Sequence, residues 1–428
     1  MNKKGLLINL IIAGMTLGTT WAIRGQFGHE QGAAWAGAVG AICIILLSGR
    51  ADWYGKLFKA TVAAAIGWGL GGIMSYGVVV GYGRGSDFIN VYYGLLMLFV
   101  IGGLYGFVGG GLFGLTLSDS KNNKVNWPLL ISGMVASGII AYFFLIIEWE
   151  WFMTPPRAEV WAACLGVAIF LGWYAIHYKF KSAWRVAVFA GLGGGFGFAF
   201  GNFLMVLGTT MEIPFNFWNV MEYSLGFFGG AGMAYGTFTS DWETTDAGHK
   251  KSSNLIPILL VVLFIPFVVW QQTFTIERIQ KNYENLVAGS AETAAWIVQI
   301  LALLLIIGQT MFVLVKYHFA KKNELVQYSG KEVKIFLSTH FAVYTIFSLL
   351  ITGAFVSTYR IEQYLYLVNY AIILTVIPKL NPVFNPMAMN KNKWAGNFML
   401  VLLILAVLAL IAINMHGEMN GAQKRFDF

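Results

Sequence analysis

The chain has 428 residues, of which 57% are hydrophobic and only 11% charged. A soluble domain usually carries about 25% charged residues, so this composition excludes an ordinary soluble enzyme and points to a polytopic membrane protein. The net charge of +8 would suit nucleic acid, but the basic residues follow alternate loops, as topology in a bilayer requires, and this excludes a nucleic-acid partner.

The apolar runs are continuous and about 20 residues long, which predicts helices and not the short alternating strands of a barrel. Lipid cannot satisfy backbone polar groups, and helices satisfy their own. The fold class is therefore all-α, with about 13 spans near 5–24, 32–49, 57–82, 90–118, 127–147, 158–178, 183–208, 217–239, 254–272, 291–316, 334–358, 361–378 and 395–415. Met1 to Lys4 followed by Gly5 to Thr19 resembles a signal peptide. No convincing small-x-small cleavage site precedes Trp21, so an uncleaved first span is expected.

Most of the 28 Lys and Arg fall on one side of this pattern, including Arg50, Lys56, Lys59, Lys179, Lys181 and Arg185. The opposite side keeps Arg24, Arg84, Arg157, Arg278, Lys281, Arg360, Lys424 and Arg425. The positive-inside rule then places the amino terminus in the cytoplasm and the carboxyl terminus outside a bacterial inner membrane.

Gly67, Gly69, Gly71 and Gly77 recur as Gly191, Gly193, Gly195 and Gly201, an offset of about 124. Gly110, Gly114, Ser118 and Asp119 recur as Gly232, Gly236, Ser240 and Asp241, and Trp35-Ala36 recurs as Trp161-Ala162. Two four-helix repeats, residues 1–122 and 123–246, are expected. An even number of spans per copy gives both the same orientation. Residues 247–428 form a separate five-helix bundle. The stripe Gly102, Gly106, Gly110, Gly114 admits a close backbone neighbour, either for packing or for a backbone-lined crevice. Gly226, Gly230 and Ala234 make a second such stripe.

The stretch Trp21 to Trp35 gathers Arg24, His29 and Glu30 between two spans, with Gly25, Gly28 and Gly32 interleaved. Ionisable groups at a membrane boundary are candidates for function, and a short re-entrant loop is the expected shape. Arg24 would bind an anion or hold Glu30, and His29 would carry a proton. By position the counterpart is Glu148 to Glu159, which supplies Glu148, Trp151, Arg157 and Glu159. Trp faces beside carboxylates suit a sugar or an organic cation, while the same tryptophans also suit the lipid boundary. Glu222 and Asn202 are polar positions within spans that join this set, and Trp35 closes it. Gln299, Gln309, His340 and Asn369 read as helix-packing contacts. The buried Cys43 and Cys164 read as small hydrophobes. The Ser-Asp endings oppose the helix dipole, and Lys121, Lys250 or capping should offset them.

Gly67-x-Gly69-x-x-Gly72 matches a dinucleotide fingerprint only formally, since no strand precedes it. His29-Glu30 lacks a second histidine at position 33, which is Ala33, so no metal site and no cofactor is expected. No Gly-x-Ser-x-Gly elbow occurs. The reading that follows is a transporter or channel for a small polar or charged solute, with a polar site on the outer side. The alternatives are a membrane-embedded enzyme for a lipid-linked or glycan substrate, with Glu30 or Glu148 and Glu159 as acid and base, and an accessory subunit of an envelope complex. Membrane lipid is an expected partner, and homo-oligomers are compatible with this reading.

Overall fold

A computed structural model describes residues 3–244, 249–287, 289–387 and 391–426. The expected domain boundary at 246/247 lies outside the described residues. The helices in order are α1 (Lys3–Arg24), α2 (His29–Ser48), α3 (Ala51–Gly55), α4 (Leu57–Gly71), α5 (Gly77–Tyr82), α6 (Phe88–Ser118), α7 (Trp127–Tyr142), α8 (Trp161–His177) and α9 (Lys181–Thr210). They continue as α10 (Phe217–Phe238), α11 (Ser252–Leu259), α12 (Ile265–Thr273), α13 (Ile276–Tyr283), α14 (Ala291–Leu314), α15 (Gly330–Thr352), α16 (Ile361–Val376) and α17 (Lys391–Met415). The only described strands, β1 (His249–Lys250) and β2 (Leu325–Val326), pair in a two-residue antiparallel ladder. Among the described residues, ten helical stretches are long and apolar enough to cross a membrane; four of them, Trp127–Glu148, Ser252–Thr273, Ala291–Phe319 and Ile361–Lys379, include short π-helical or 3-10 turns that extend or join the helices named above. Leu57–Gly71 and Trp161–His177 are apolar but shorter. The chain is an all-α polytopic protein.

The span expected over 57–82 is not continuous. Helix α4 stops at Gly71 and α5 resumes at Gly77, leaving Gly72 to Tyr76 as irregular backbone. Conversely, the turn after α1 is tighter than a re-entrant loop. Gly25, Gln26 and Phe27 each donate a backbone bond three residues back, and α2 begins at His29.

Six helices close into a ring in the order α1, α2, α4, α6, α9, α10 and back to α1. Trp68 of α4 fills its centre. A side chain at Gly37 on α2, Gly109 on α6 or Gly229 on α10 would strike the Trp68 indole, and Trp21 of α1 meets it edge-on at 5.1 Å. The helices α7 and α8 pair outside the ring, and α17 lies against α6 and α9. The segments from α11 to α16 pack around the α1, α2 and α4 side.

The glycine stripe of α6 serves packing. A methyl at Gly106 would strike the Ala190 carbonyl of α9, at Gly110 the Ala190 methyl, and at Gly114 the Ala183 backbone. Without Cβ atoms the two backbones approach closely enough for dispersion and weak Cα–H contacts to hold them. The stripe of α10 faces a different helix: Gly226 abuts Trp21 and Leu17 of α1, and Gly230 abuts Ala13.

The carboxyl end of α6 is offset by Lys56, which stood out in the sequence only as one of the basic residues on the lysine-rich side. Buried Lys56 donates to the Leu117 carbonyl at 2.8 Å and the Asp119 carbonyl at 2.5 Å. Its positive charge complements the helix dipole there. Burial draws the Lys56 amine down to about 8, a shift that the nearby Asp119 and Asp52 partly oppose. The Asp119 carboxylate in turn accepts from the Val125 amide.

Candidate functional site

The face that carries the α1–α2 turn holds a polar site built from three helices, α1, α2 and α10, and the break between α4 and α5. Arg24 ends α1, and Gly32 one turn into α2 leaves room for its stem. The guanidinium is 2% exposed. Its Nη2 donates to Glu222 Oε2 of α10 at 2.5 Å and to the Tyr76 hydroxyl at 2.9 Å. Tyr76 donates to the other Glu222 oxygen at 2.9 Å. Glu222 itself is fully buried. Both carboxylate oxygens are thus satisfied, as a buried charge pair requires, while Arg24 Nε finds no hydrogen-bond partner among the described residues. Arg24 also lies over the Trp21 ring at 5.0 Å, a favourable cation–π geometry.

His29 completes the cluster. Its Nδ1 lies 3.0 Å from Arg24 Nη1 and 3.3 Å from the Tyr76 hydroxyl. A guanidinium only donates, so Nδ1 accepts and the proton of this neutral imidazole sits on Nε2. Protonating Nδ1 would set a donor against a donor and break the Arg24–His29 contact, leaving Arg24 on Glu222 and Tyr76.

Above this cluster lies a cavity of about 600 Å³ lined by His29, Glu30, Tyr76, Arg157 and Trp218, with the backbone of the α4–α5 break along one wall. The break makes the cavity possible. Gly72 lets the chain cross directly over the His29 carbonyl, and a side chain at Gly77 would meet nothing within 4 Å. Tyr76 is held between Phe198 at 5.1 Å and Trp218 at 6.5 Å. Interrupted helices at membrane depth occur where backbone lines a cavity or is buried in protein. Gly421 and Gln423, near the carboxyl end, form the remaining wall. That segment is fixed by the Gln423 amide on the Gly81 carbonyl and by Asn90, which receives the Arg425 and Phe426 amides.

Beneath the ion pair, Trp21 packs edge-on against both Trp68 and Tyr105, each at 5.1 Å. All three side chains are fully buried, and neither indole N–H nor the Tyr105 hydroxyl has a hydrogen-bond partner within the described protein. The centre of the ring is therefore closed by aromatic rings whose polar tips are unused.

Of the residues singled out in the sequence, Arg24, His29, Glu30, Arg157 and Glu222 converge on this site. Asn202 braces it from behind, donating to the Val80 carbonyl of α5 at 3.3 Å. Trp35 lies elsewhere, buried and stacked on Tyr344 at 4.6 Å, where it anchors α2 to α15. The Glu159 carboxylate points into its own loop and accepts from the Met153 and Thr154 amides and the Trp161 indole. Glu148 and Trp151 are exposed on the outside of the α7 end, where Trp151 packs against Trp149 at 5.2 Å. Tyr76 and Trp218 are central to the site and were not singled out. In the sequence they read as ordinary aromatic residues of apolar spans.

Fold and site together define a multi-pass helical membrane protein with a polar cavity over a buried ion pair. No protein-family model matches the chain, and no curated protein or solved structure is significantly similar to it.

Proposed function

We propose that this chain is a transporter or channel for a small polar or charged solute, with the cavity over Arg24 and Glu222 as its binding site. The observation that carries this reading is the adjacency of three features. A polar cavity opens at a broken helix, a tyrosine-bridged ion pair forms its floor, and an aromatic plug closes the helix ring below. This is the arrangement of an occluded path, and broken helices beside a polar cavity recur at transporter sites. Glu30 and Arg157 give the cavity one charge of each sign, which suits a zwitterion or a polyol as readily as an ion. His29 supplies a coupling step, since a proton on Nδ1 would free Arg24 from it and loosen the floor. The loop charges support an extracytoplasmic cavity in an inner membrane, with the amino terminus in the cytoplasm. The glycine correspondences support descent of the first eight spans from a duplicated unit, whose second copy has moved its first two helices outside the ring.

Flux into proteoliposomes tests the proposal, with a panel of labelled sugars, amino acids, organic anions and cations. The wild-type protein is expected to move at least one class faster than empty vesicles do. Glu30→Gln with Arg157→Gln should slow that class at least tenfold, since each charged hydrogen bond contributes about 1.5–3 kcal/mol. No acceleration of any class by the wild-type protein would defeat the proposal.

A further inference from the structure

A second cavity, larger than the one over the ion pair, lies on the opposite face from the candidate site. It measures about 1440 Å³ and runs between α6, α8, α9 and α17. Its long wall is apolar, formed by Phe99, Leu104, Leu165, Ile169 and Val188. One end is strongly polar, with Lys179, Lys181 and Arg185 beside Asp241 and Glu243. This end sits at the lysine-rich face, where Lys56 caps α6 and Ser182 donates to the Asp241 carbonyl. An apolar trough with charge confined to one end has the polarity of a lipid standing in one leaflet. Basic pockets between helices on the cytoplasmic side hold lipid phosphates.

The turn that carries the lysines adds a second observation. Lys179 has φ +60°, in the left-handed region that disfavours side chains. Glycine would sit there without strain, yet a lysine occupies it, in a turn closed by bonds from Lys179 to the Ile176 carbonyl and from Phe180 to the Ala175 carbonyl. Arg185 is already committed, donating to Thr239 and to the Met387 carbonyl. The two lysines are exposed and make no ion pair among the described residues, which leaves them for a ligand.

We propose that this groove is a binding site for a phospholipid whose headgroup carries a phosphate and a primary ammonium. The phosphate lies against Lys179 and Lys181, the ammonium against Asp241 and Glu243, and an acyl chain follows the apolar wall. The two carboxylates are the reason for choosing a zwitterionic headgroup over an anionic one.

Native mass spectrometry on the purified full-length chain tests this, after equilibration with an equal mixture of phosphatidylethanolamine and phosphatidylglycerol. The wild-type protein should retain phosphatidylethanolamine in preference. Lys179→Glu with Lys181→Glu should lower retention at least fivefold, and Lys322→Glu, on another loop of the same face, should not. Asp241→Asn with Glu243→Gln should reverse the preference towards phosphatidylglycerol. Gly103→Leu fills the groove from α6, where an added Cβ meets only the Gly191 carbonyl at 3.6 Å, and should displace the lipid without touching a charge. Equal retention by the wild type and the double lysine variant overturns the site. An unchanged headgroup preference in the double carboxylate variant overturns the ammonium assignment. Solute flux is a separate readout, so neither result bears on the cavity at the other face.

Discussion

Glu222→Ala should lower the unfolding free energy by about 3–5 kcal/mol, the usual consequence of leaving one buried charge without its partner. Arg24 is 2% exposed, so it cannot turn to water without dismantling the end of α1. After the substitution its remaining partners would be Tyr76 and His29, neither of which carries the negative charge it needs. Thermal or denaturant unfolding in mild detergent measures the loss. The double variant Arg24→Met, Glu222→Met should recover most of the stability, because a buried ion pair replaced by apolar residues of similar size is often neutral or better. It should not recover solute flux. A single variant as stable as the wild type would mean that the ion pair is not buried as described.

Gly106→Ala is expected to be the most damaging of the small substitutions in α6, with a loss of about 1–3 kcal/mol or more from overpacking. The added methyl would meet the Ala190 carbonyl of α9, and a backbone atom cannot rotate aside. Gly103→Ala, less than one turn away on the same helix, should be nearly neutral, because its methyl meets only the Gly191 carbonyl at 3.6 Å. The pair controls for helix propensity, since both gain the same methyl. Comparison of their unfolding temperatures checks the prediction. Equal effects at the two positions would contradict the packing of α6 on α9.

The helices were legible because lipid imposes one rule on every span, and continuous apolar runs obey it. The break between α4 and α5 was not, since Gly71, Gly72 and Gly77 have the same composition whether a helix bends, packs or stops. The glycine stripes were ambiguous for a related reason. A pore lining and a helix contact both require a missing Cβ, and only the partner decides between them: Ala190 for Gly106, and Leu17 with Trp21 for Gly226. Arg24 and Glu222 each stood out as ionisable groups, but 198 positions separate them and only the ring of helices brings them together. Trp35 and Glu159 were drawn in by proximity in sequence to Glu30 and Arg157. Helical rotation carries Trp35 towards α15, and the loop before α8 turns the Glu159 carboxylate back on its own amides. Tyr76 carried a weak signal, as a hydroxylated residue between Ser75 and Gly77 in an otherwise apolar run.

The most direct test of the cavity as an outward-facing solute site is alkylation of Ser75→Cys by a membrane-impermeant maleimide. Ser75 lines the cavity wall, and the two natural cysteines, Cys43 and Cys164, are buried and should stay silent. The thiol should react in intact cells, and a solute that the proteoliposomes take up should slow the reaction at least several-fold. Labelling that requires permeabilised cells, or that proceeds at one rate whatever transported solute is present, would contradict the account.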